Sequence, residues 1–555
     1  MRGDQGRKGP GSAKLDQLAA LLKSGSYPAL EKKVRLLIGK HPGSSDLWCY
    51  LGLALMFQNK NAVPAFQRAV DFNPADPGLH SNLGLAYGAN CEFDAAITNF
   101  KYALKIGPGS LEESAKLAHV YSNMLFCLGL MGGVDPQVVF SEHCAFAERF
   151  ETPFREAWPA HGNTKDPDRL LRVGFVSGDF REHAVANFLE PVLARLTDCP
   201  SLILHAYYNH KVEDSVTQRL RGHFTQWRSV VDQPDTEVAR RIQEDKIDIL
   251  VDLSGHTSDN RLLSFARKPA PIQVSWIGYG NTTGLQAMDY VIKDRQNAPD
   301  GALERFYVEK FARIPSATTF LPFEDAPPVN ELPAKQTGHV TFGSFSRPNK
   351  LNEETLALWS RILLAVPGSK LLLGGMASDD GNSTLAERFG RHGLMADRLI
   401  FQPRMEMRDY LALHHQVDLI LDAFPSSGGS TTNHALWMGV PVLTLTASAA
   451  TIAHGGGIQR RAGLADWVAS EPEDFVRRAV DWASRLDELA ELRAGMRDRL
   501  TSAPLRQPEV VAKGFEAALR VMWRRWCAGQ RPESFEIGRD EILGDARQGI
   551  DLAQS

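Results

Sequence analysis

The sequence reads Val417-Asp-Leu-Ile-Leu-Asp422, Ala423-Phe424-Pro425, Ser426-Ser-Gly-Gly-Ser-Thr-Thr-Asn433 and His434-Ala-Leu-Trp-Met438 at the point that decides its fold. The first segment is an apolar strand and the last is a helical run, so the Gly/Ser/Thr loop between them opens a helix. Backbone N–H groups, hydroxyls and the helix dipole in such a loop form a cradle for phosphate. Ordinary capping of the helix by Ser430 or Thr431 explains the same residues equally well. The loop lacks Gly-Lys-Ser/Thr, so it is not a Walker motif.

Short apolar strands that alternate with helical stretches continue on both sides of this loop. The pattern predicts two doubly wound α/β halves, residues 169–323 and 339–528, joined by the Pro-rich polar linker 324–338. Ligands of such folds bind at the carboxyl ends of the strands, where we expect a crevice. We assign no role to the tail, residues 529–555. The predicted strands are Leu171–Ser177, Leu202–Tyr208, Ile247–Leu253, Ile272–Tyr279, Tyr290–Lys293, Val340–Phe345, Lys370–Leu373, Leu399–Phe401, Val417–Leu421 and Pro441–Leu445.

A repeat precedes the α/β halves. The first copy contains Leu51, Gly52, Leu55, Ala62, Phe66, Ala69 and Pro74, and the second contains Leu83, Gly84, Tyr87, Ala96, Phe100, Ala103 and Pro108. Small residues let two helices approach closely while large ones fill the space beside them. The pattern resembles the tetratricopeptide (TPR) repeat, and we expect further copies before Pro42 and around residues 121–130. We therefore assign residues 15–165 to TPR-like helical repeats that bind or position a polypeptide, and residues 1–14 to a disordered N-terminus.

The composition describes a globular protein without the charge of a nucleic-acid or membrane-surface binder. Of 555 residues, 43% are hydrophobic and 23% are charged, and the net charge is -4. The six cysteines are scattered without a C-x-x-C pair, which fits reduced thiols in the cytoplasm and argues against a disulfide framework or a zinc knuckle. The polar N-terminus lacks the apolar segment of a signal peptide, and we find no run of about 18 apolar residues that would span a bilayer.

Candidate ligand-binding side chains in the second half follow its strands. Arg347 and Lys350 come after the first of them, where two cations can neutralise a diphosphate. A solvated loop lysine is the simpler explanation of Lys350 taken alone. Tyr410 can stack on a nucleobase whose edge is read by backbone groups of Met405–Met407, or it packs on the core at the start of a helix.

In the first half, the loop after Val176 ends in His183, a candidate general base or oxygen ligand. A lone histidine is more often structural. The segments Ser254–Thr257 and Gly278–Gly284 follow two further strands on the same rim, and this convergence favours a functional site.

Taken together, these residues resemble the protein O-linked N-acetylglucosamine transferases and their SPINDLY relatives. The likeness spans about residues 45 to 525 and rests on residues 171–183, 269–290, 340–350 and 421–441. It implies TPR repeats followed by a GT-B pair of Rossmann-like domains. It also implies an inverting mechanism without metal, and transfer of a sugar from a nucleotide-sugar to Ser or Thr hydroxyls of acceptor proteins that the repeats guide.

The resemblance assigns roles residue by residue. His183 matches the family's proposed base, and Lys350 matches the lysine that steadies the diphosphate, so both are predicted to be catalytic. Arg347 matches a donor-contacting glutamine, and Tyr410 matches a base-stacking histidine. The predicted substrate-binding set is Arg347, Met405, Glu406, Met407, Tyr410, Gly429, Ser430, Thr431 and His434, in which Gly429–Thr431 match a His-Thr-Thr diphosphate loop.

Several positions depart from the family pattern. His434 stands where the family has an acidic residue that binds the ribose. Gly429 and Tyr410 each replace a histidine, and Met407 replaces a lysine. Residues 453–457 read Ala-His-Gly-Gly-Gly where relatives often carry Arg-Val-Gly-Ala-Ser.

The sequence leaves three functional alternatives open. We favour UDP-GlcNAc as the donor, but residues 244–256 and 281–285 look closer to the SPINDLY branch, whose plant members transfer fucose from GDP-fucose. The substitutions at His434 and Tyr410 also motivate a TPR scaffold with a degenerate catalytic region. A third alternative is transfer to a small molecule or glycan, for which the repeats need only be structural.

Overall fold

The computed structural model describes residues 11–105, 111–299, 301, 303–323, 325–376, 379–446, 454–503 and 506–542. Residues 1–10 of the predicted disordered N-terminus, Pro108, the first linker residue Glu324, Ala453 and tail residues 543–555 lie outside this range. The chain forms two compact units. Unit 1 comprises Met1–Gly132 and Phe342–Glu406, and unit 2 comprises Gly133–Thr341 and Met407–Ser555.

The N-terminal part of unit 1 is a series of consecutive helices. Gly52 lies against the ring of Phe66, since a Cβ on this glycine would stand 2.6 Å from the ring carbons. Gly84 repeats the contact with Phe100 at 2.8 Å. The glycine and phenylalanine positions of the repeat pattern are therefore the residues at which the two helices of each pair meet. The helices are α1 (Ser12–Lys23), α2 (Tyr27–Ile38), α3 (Ser45–Met56), α4 (Val63–Phe72), α5 (Pro77–Ala89), α6 (Phe93–Lys105) and α7 (Leu111–Leu130).

Two details of this series differ from the prediction or refine it. Residues 12–14, predicted to be disordered, belong to α1, and α1 with α2 forms the earlier copy expected before Pro42. Two helix starts have ordinary side-chain caps. Ser44 accepts a hydrogen bond from the Leu47 N–H at the start of α3, and Asp76 caps α5 ahead of Pro77.

A parallel sheet forms the first α/β half, in unit 2. Its apolar strands β1, β2 and β6 are buried at all but one position each, which is why the sequence predicted them with their observed bounds. The elements are α8 (Pro136–Phe150), β1 (Leu171–Ser177), α9 (Ala184–Leu196), β2 (Leu202–Tyr208), α10 (Ser215–Arg221), β3 (Gln226–Ser229), α11 (Asp235–Glu244), β4 (Ile249–Asp252), α12 (Leu262–Phe265), β5 (Ile272–Ser275), β6 (Tyr290–Lys293) and β7 (Lys310–Arg313). The strand order is β7-β6-β5-β4-β1-β2-β3.

The second α/β half begins after the short helix α13 (Ala334–Thr337). Its first elements, which lie almost entirely in unit 1, are β8 (Thr341–Ser344), α14 (Glu353–Ala365), β9 (Lys370–Met376), α15 (Asp379–Arg391) and β10 (Leu399–Pro403), with strand order β10-β9-β8.

The remaining elements belong to unit 2, where β11, β12 and β13 are parallel neighbours in that order. They are α16 (Met407–Leu413), β11 (Leu419–Leu421), α17 (Ser430–Trp437), β12 (Val442–Leu445), α18 (His454–Arg461), β13 (Val468–Ala469), α19 (Pro472–Ser484), α20 (Leu486–Ala494), α21 (Met496–Ser502), α22 (Pro508–Cys527) and β14 (Phe535–Glu536).

The C-terminal elements return to the first sheet, which differs from the predicted domain limits. Helix α22, expected in the second half, buries Phe515, Leu519 and Trp523 in the core of the first sheet. Strand β14, from the tail to which no role was given, pairs with β7 at the sheet edge. The periodicity of α22 predicts a helix but does not specify the sheet it packs on, and two residues are too few to show a strand pattern.

A buried ion pair ties the two α/β parts of unit 2 together. Arg461, at the end of α18, donates to the Asp294 carboxylate at 2.8 Å, and both side chains are buried. Asp294 also accepts the N–H of Ala317 at 2.9 Å. Removing either partner of a buried ion pair strongly destabilises the folded protein, because the other charge is left buried and unpaired. This contact therefore fixes the geometry between the two parts.

Candidate functional site

The Gly/Ser/Thr loop leads from β11 into α17 without a side-chain cap. The residue before the helix is Gly429, and no side chain accepts from the first N–H groups of α17. Ser430 and Thr431 lie inside the helix, so the capping explanation of these residues is wrong. The first-turn N–H groups and the positive end of the helix dipole are therefore left for another acceptor.

Polar side-chain atoms without partners accompany these N–H groups. In the part of the chain that the structure describes, Ser430 Oγ, Thr432 Oγ1 and Asn433 Oδ1 are buried and have no hydrogen-bond partner. An unpaired buried polar group costs about 1–3 kcal/mol, so three within four residues point to a missing polar ligand. An anion at a helix start satisfies both the N–H groups and the hydroxyls.

Gly428 is needed for the shape of this loop. A Cβ there would stand 2.5 Å from Thr432 Oγ1 and 2.6 Å from Thr431 Oγ1. Distances under 3.0 Å do not occur for real Cβ atoms, so only glycine lets both threonine hydroxyls approach the backbone. The Gly428 N–H is itself held by the buried Asp422 carboxylate at 2.8 Å.

An aromatic group surrounds His434, one turn into α17. Its ring centroid lies 5.6 Å from those of Phe320 and Phe323 and 5.5 Å from that of Tyr410. Nδ1 faces the Tyr410 hydroxyl at 3.3 Å, whereas Nε2 is buried and unpaired among the described residues. Burial lowers the pKa of His434 to about 4, so the imidazole is neutral at physiological pH.

His183 lies immediately before α9, in the same unit as this loop. Its Nδ1 lies 3.4 Å from an Asp179 carboxylate oxygen and 3.3 Å from the Val185 N–H. The carboxylate favours hydrogen on Nδ1, which makes Nε2 the proton acceptor. The Val185 N–H favours the opposite tautomer. Helix α9 also approaches the loop, because a Cβ on Gly429 would stand 3.9 Å from the Phe188 ring.

The remaining predicted site residues belong to unit 1, apart from Met407, which begins α16 in unit 2. Lys350 ends a 3₁₀ turn (Pro348–Lys350) after β8 and is half-buried, whereas Arg347, just before it, is exposed. Met405 and Glu406 follow β10, the first half-buried and the second exposed.

Two contacts hold the Lys350 turn in place. The Cys91 thiol, in the turn between α5 and α6, donates to the Pro348 carbonyl at 3.1 Å. Arg388 donates to the Leu351 carbonyl at 2.8 Å. The turn is therefore fixed from the repeats on one side and from α15 on the other.

The sequence did not identify Phe320 and Phe323, which pack against His434, as members of the site. It also did not identify the carboxylates of Asp179 and Asp422. The aromatic pair comes just before the polar linker, and its partner His434 is more than 100 residues away, so no local pattern connects them. The described side chains contain no group of three or more His, Cys, Asp or Glu that could hold a metal ion. Within the same residues, no helix is long and apolar enough to cross a membrane.

Comparison with known proteins identifies the family. The model of glycosyl transferase family 41 matches residues 118–323 and 330–513. This chain belongs to that family. A Petunia hybrida protein named "Probable UDP-N-acetylglucosamine--peptide N-acetylglucosaminyltransferase SPINDLY" is 32% identical over 465 residues, covering 80% of this chain and 47% of the plant protein. The Arabidopsis thaliana SEC protein, with the same enzyme name, is 26% identical over 73% of this chain and 42% of its own length.

A solved O-GlcNAc transferase structure also matches. A lysine-to-methionine mutant of the O-GlcNAc transferase of Thermobaculum terrenum has a TM-score of 0.84 and 32% identity, over 93% of this chain and 98% of that one. TPR-like helices followed by two Rossmann-like halves, the GT-B architecture expected from the sequence, are thereby confirmed. The chain spans about half the length of the curated relatives that it matches.

Proposed function

We propose that this protein is an inverting glycosyltransferase that transfers GlcNAc from UDP-GlcNAc to Ser or Thr hydroxyls of proteins. The observation that carries the proposal is the start of α17, which has no side-chain cap and whose Ser430 and Thr432 hydroxyls are buried without a partner. A diphosphate supplies acceptor oxygens for the first-turn N–H groups and for the Ser430 and Thr432 hydroxyls. Family membership and the printed names of the relatives support the reaction class and the donor.

The chemistry assigned to His183 is that of a general base. As the acceptor oxygen bonds to the anomeric carbon of the sugar, its proton passes to Nε2 of His183. The bond from that carbon to the diphosphate breaks on the opposite face, and the diphosphate leaves with the electron pair. Asp179 contributes by stabilising the imidazolium that forms, while in the neutral ring it competes for Nδ1 with the Val185 N–H, which donates to the same nitrogen.

The leaving diphosphate gains negative charge, which the α17 start and a lysine are suited to stabilise. We assign the lysine to Lys350 from its sequence motif. Arg347 and the backbone of Met405–Met407 are assigned to the donor on the same ground. Tyr410 and His434, which contact each other, are placed at the nucleoside.

Acceptor proteins are assigned to the TPR-like repeats, because solenoids of this kind offer extended surfaces for polypeptides. We place the protein in the cytoplasm, since its six cysteines are free.

GDP-fucose is the second candidate donor. The chain is 33% identical to the Arabidopsis SPINDLY protein and 26% identical to SEC from the same plant, so it is closer to the branch in which the resemblance implies fucose. The two donors differ in nucleobase and in sugar, and the nucleobase is assigned to Tyr410 and to the backbone of Met405–Met407.

The test is isothermal titration with UDP, GDP, UDP-GlcNAc and GDP-fucose, followed by mass spectrometry of the products. Binding of UDP and UDP-GlcNAc with sugar on protein hydroxyls supports the proposal, and preference for GDP and GDP-fucose selects the second donor. Absence of binding at millimolar concentration favours the scaffold with a degenerate catalytic region. Sugar found only on a small molecule or glycan would reassign the acceptor.

Lys350→Ala tests the assignment of the lysine. We expect transfer to be abolished while circular dichroism and the melting temperature stay at wild-type values. Lys513→Ala, at an exposed position on α22, is the control and should keep wild-type turnover. Unchanged turnover of Lys350→Ala would contradict the assignment.

A further inference from the structure

The buried carboxylate of Asp422 lies directly beneath the loop that opens α17. Its Oδ1 accepts the N–H groups of Ala423 at 3.0 Å and Gly428 at 2.8 Å, and its Oδ2 accepts the Thr444 hydroxyl at 3.0 Å. Only 4% of the residue is exposed. Hydrogen bonds to a charged acceptor are roughly twice as strong as neutral ones, so this carboxylate fixes the path of the loop.

The start of α18 packs against the same carboxylate. A Cβ on Gly455 would stand 2.7 Å from Asp422 Oδ2, and the Gly455 N–H donates to Ser427 Oγ at 2.9 Å. Asp422 therefore contacts the end of β11, the loop before α17, β12 and the first residues of α18. One buried side chain sets the relative position of four segments.

We infer that Asp422 is a positioning residue for the diphosphate of the donor, an inference that rests on the proposed function. By holding the Gly428 N–H it keeps Gly428 against the hydroxyls of Thr431 and Thr432, and so fixes the first turn of α17, whose N–H groups we assign to the diphosphate. Asp422 does not touch the ligand. Its effect on donor binding passes through the loop.

The sign of the effect distinguishes positioning from simple electrostatics. A carboxylate near a diphosphate repels it, so if charge alone mattered, removing the charge of Asp422 would tighten nucleotide binding. If positioning matters more, removing the charge weakens the hydrogen bonds to the loop and loosens binding. The two accounts predict opposite changes in Kd.

The same strand offers a matched control in Asp418. This buried aspartate precedes β11, and its carboxylate also accepts two backbone N–H groups, from Ala334 at 2.8 Å and Thr341 at 2.7 Å. It stands at the opposite end of β11 from the loop. Asp418→Asn removes a buried carboxylate that accepts two backbone N–H groups, as Asp422→Asn does, but at the end of β11 away from α17.

The experiment measures UDP binding by isothermal titration and the melting temperature for the full chain and for Asp422→Asn, Asp418→Asn and Gly455→Ala. We expect both aspartate variants to melt at lower temperature. Only Asp422→Asn and Gly455→Ala should weaken UDP binding, by about tenfold or more, which corresponds to about 1.4 kcal/mol. Gly455→Ala disturbs the carboxylate from outside and leaves its charge intact.

Equal or tighter binding of UDP by Asp422→Asn overturns the inference, as does equal weakening by Asp418→Asn. A wild-type chain that binds neither UDP nor GDP counts against the proposed function instead. If Asp422→Asn fails to fold, Gly455→Ala decides the question alone, because unchanged UDP affinity in that variant contradicts the inference.

Discussion

Replacing Gly428 by alanine tests whether the start of α17 holds the donor diphosphate. The added Cβ would stand 2.5 Å from Thr432 Oγ1, whereas ordinary contact begins at 3.4 Å, so the atoms have to separate by about 0.9 Å. The Thr431 oxygen, at 2.6 Å, has to move by about 0.8 Å. Threonine is stiff at χ1, and both residues are in the first turn of the helix, so the backbone of the loop has to shift.

The size of the effect follows from the cost of overpacking. Inserting a methyl group where there is no room costs about 1–3 kcal/mol. If the diphosphate binds only the undistorted loop, this energy appears as weaker nucleotide binding, by a factor of roughly 5 to 150. Because the first-turn N–H groups and the Ser430 hydroxyl move with the loop, a smaller loss is not expected.

The assay is isothermal titration of UDP into the wild-type chain, Gly428→Ala and Gly390→Ala. Gly390 lies on the exposed side of α15, where an added Cβ meets no atom within 4 Å, so this control should bind UDP with wild-type affinity. It should also gain about 0.5–1 kcal/mol of stability as a helical Gly→Ala change. Wild-type UDP affinity in Gly428→Ala would refute the assignment of the loop to the diphosphate.

Two further predictions concern stability. Because burial lowers the pKa of His434 from 6.5 to about 4, protonation favours the unfolded chain, and stability should fall as the pH drops from 6.5 towards 4. By pH 5 this group should have lowered the free energy of unfolding by about 2 kcal/mol. The measurement is urea unfolding of wild type and His434→Gln at pH 7 and pH 5. An identical pH dependence of the two proteins would contradict the prediction. Gly52→Ala should speed hydrogen exchange in α3 and α4 by overpacking against Phe66, at a cost of about 1–3 kcal/mol. Phe66→Leu in the same chain should restore part of the protection, and unchanged exchange in Gly52→Ala would show that the contact is not tight.

Much of the fold was predictable because its central strands are buried on both faces. The segments of β1, β2 and β6 are short apolar runs between turn residues, and each was predicted with its observed bounds. Strand β3 was missed because Gln226–Ser229 is polar and half-buried at the sheet edge. The destination of α22 was missed because periodicity shows which face of a helix is apolar and not which sheet receives it.

The site was predictable where its chemistry is local. A Gly/Ser/Thr run before a helix indicates N–H groups without partners, and the structure removes the capping alternative by placing Gly429 at the cap position, while the phosphate cradle stays a prediction. The features that the sequence did not reveal depend on distant pairs. Phe320 and His434 illustrate this, since neither residue carries a signal of the other.

His434, which we assign to the nucleoside, differs in kind from the acidic residue that the family pattern has at this position. A carboxylate presents two anionic oxygens and only accepts hydrogen bonds, whereas the neutral His434 imidazole offers one donor and one acceptor. Nδ1 faces the Tyr410 hydroxyl, so the role left to Nε2 is the complement of the role that Nδ1 takes in that contact. When the hydroxyl donates to Nδ1, Nε2 carries the hydrogen and can donate to a carbonyl or ether oxygen that a carboxylate would repel. When the hydroxyl accepts, Nε2 is free of hydrogen and can accept a hydrogen bond from a hydroxyl, such as one of a ribose. On the proposed function, the nucleoside therefore meets a neutral hydrogen-bonding pair, Tyr410 and His434, and not a charge at this position.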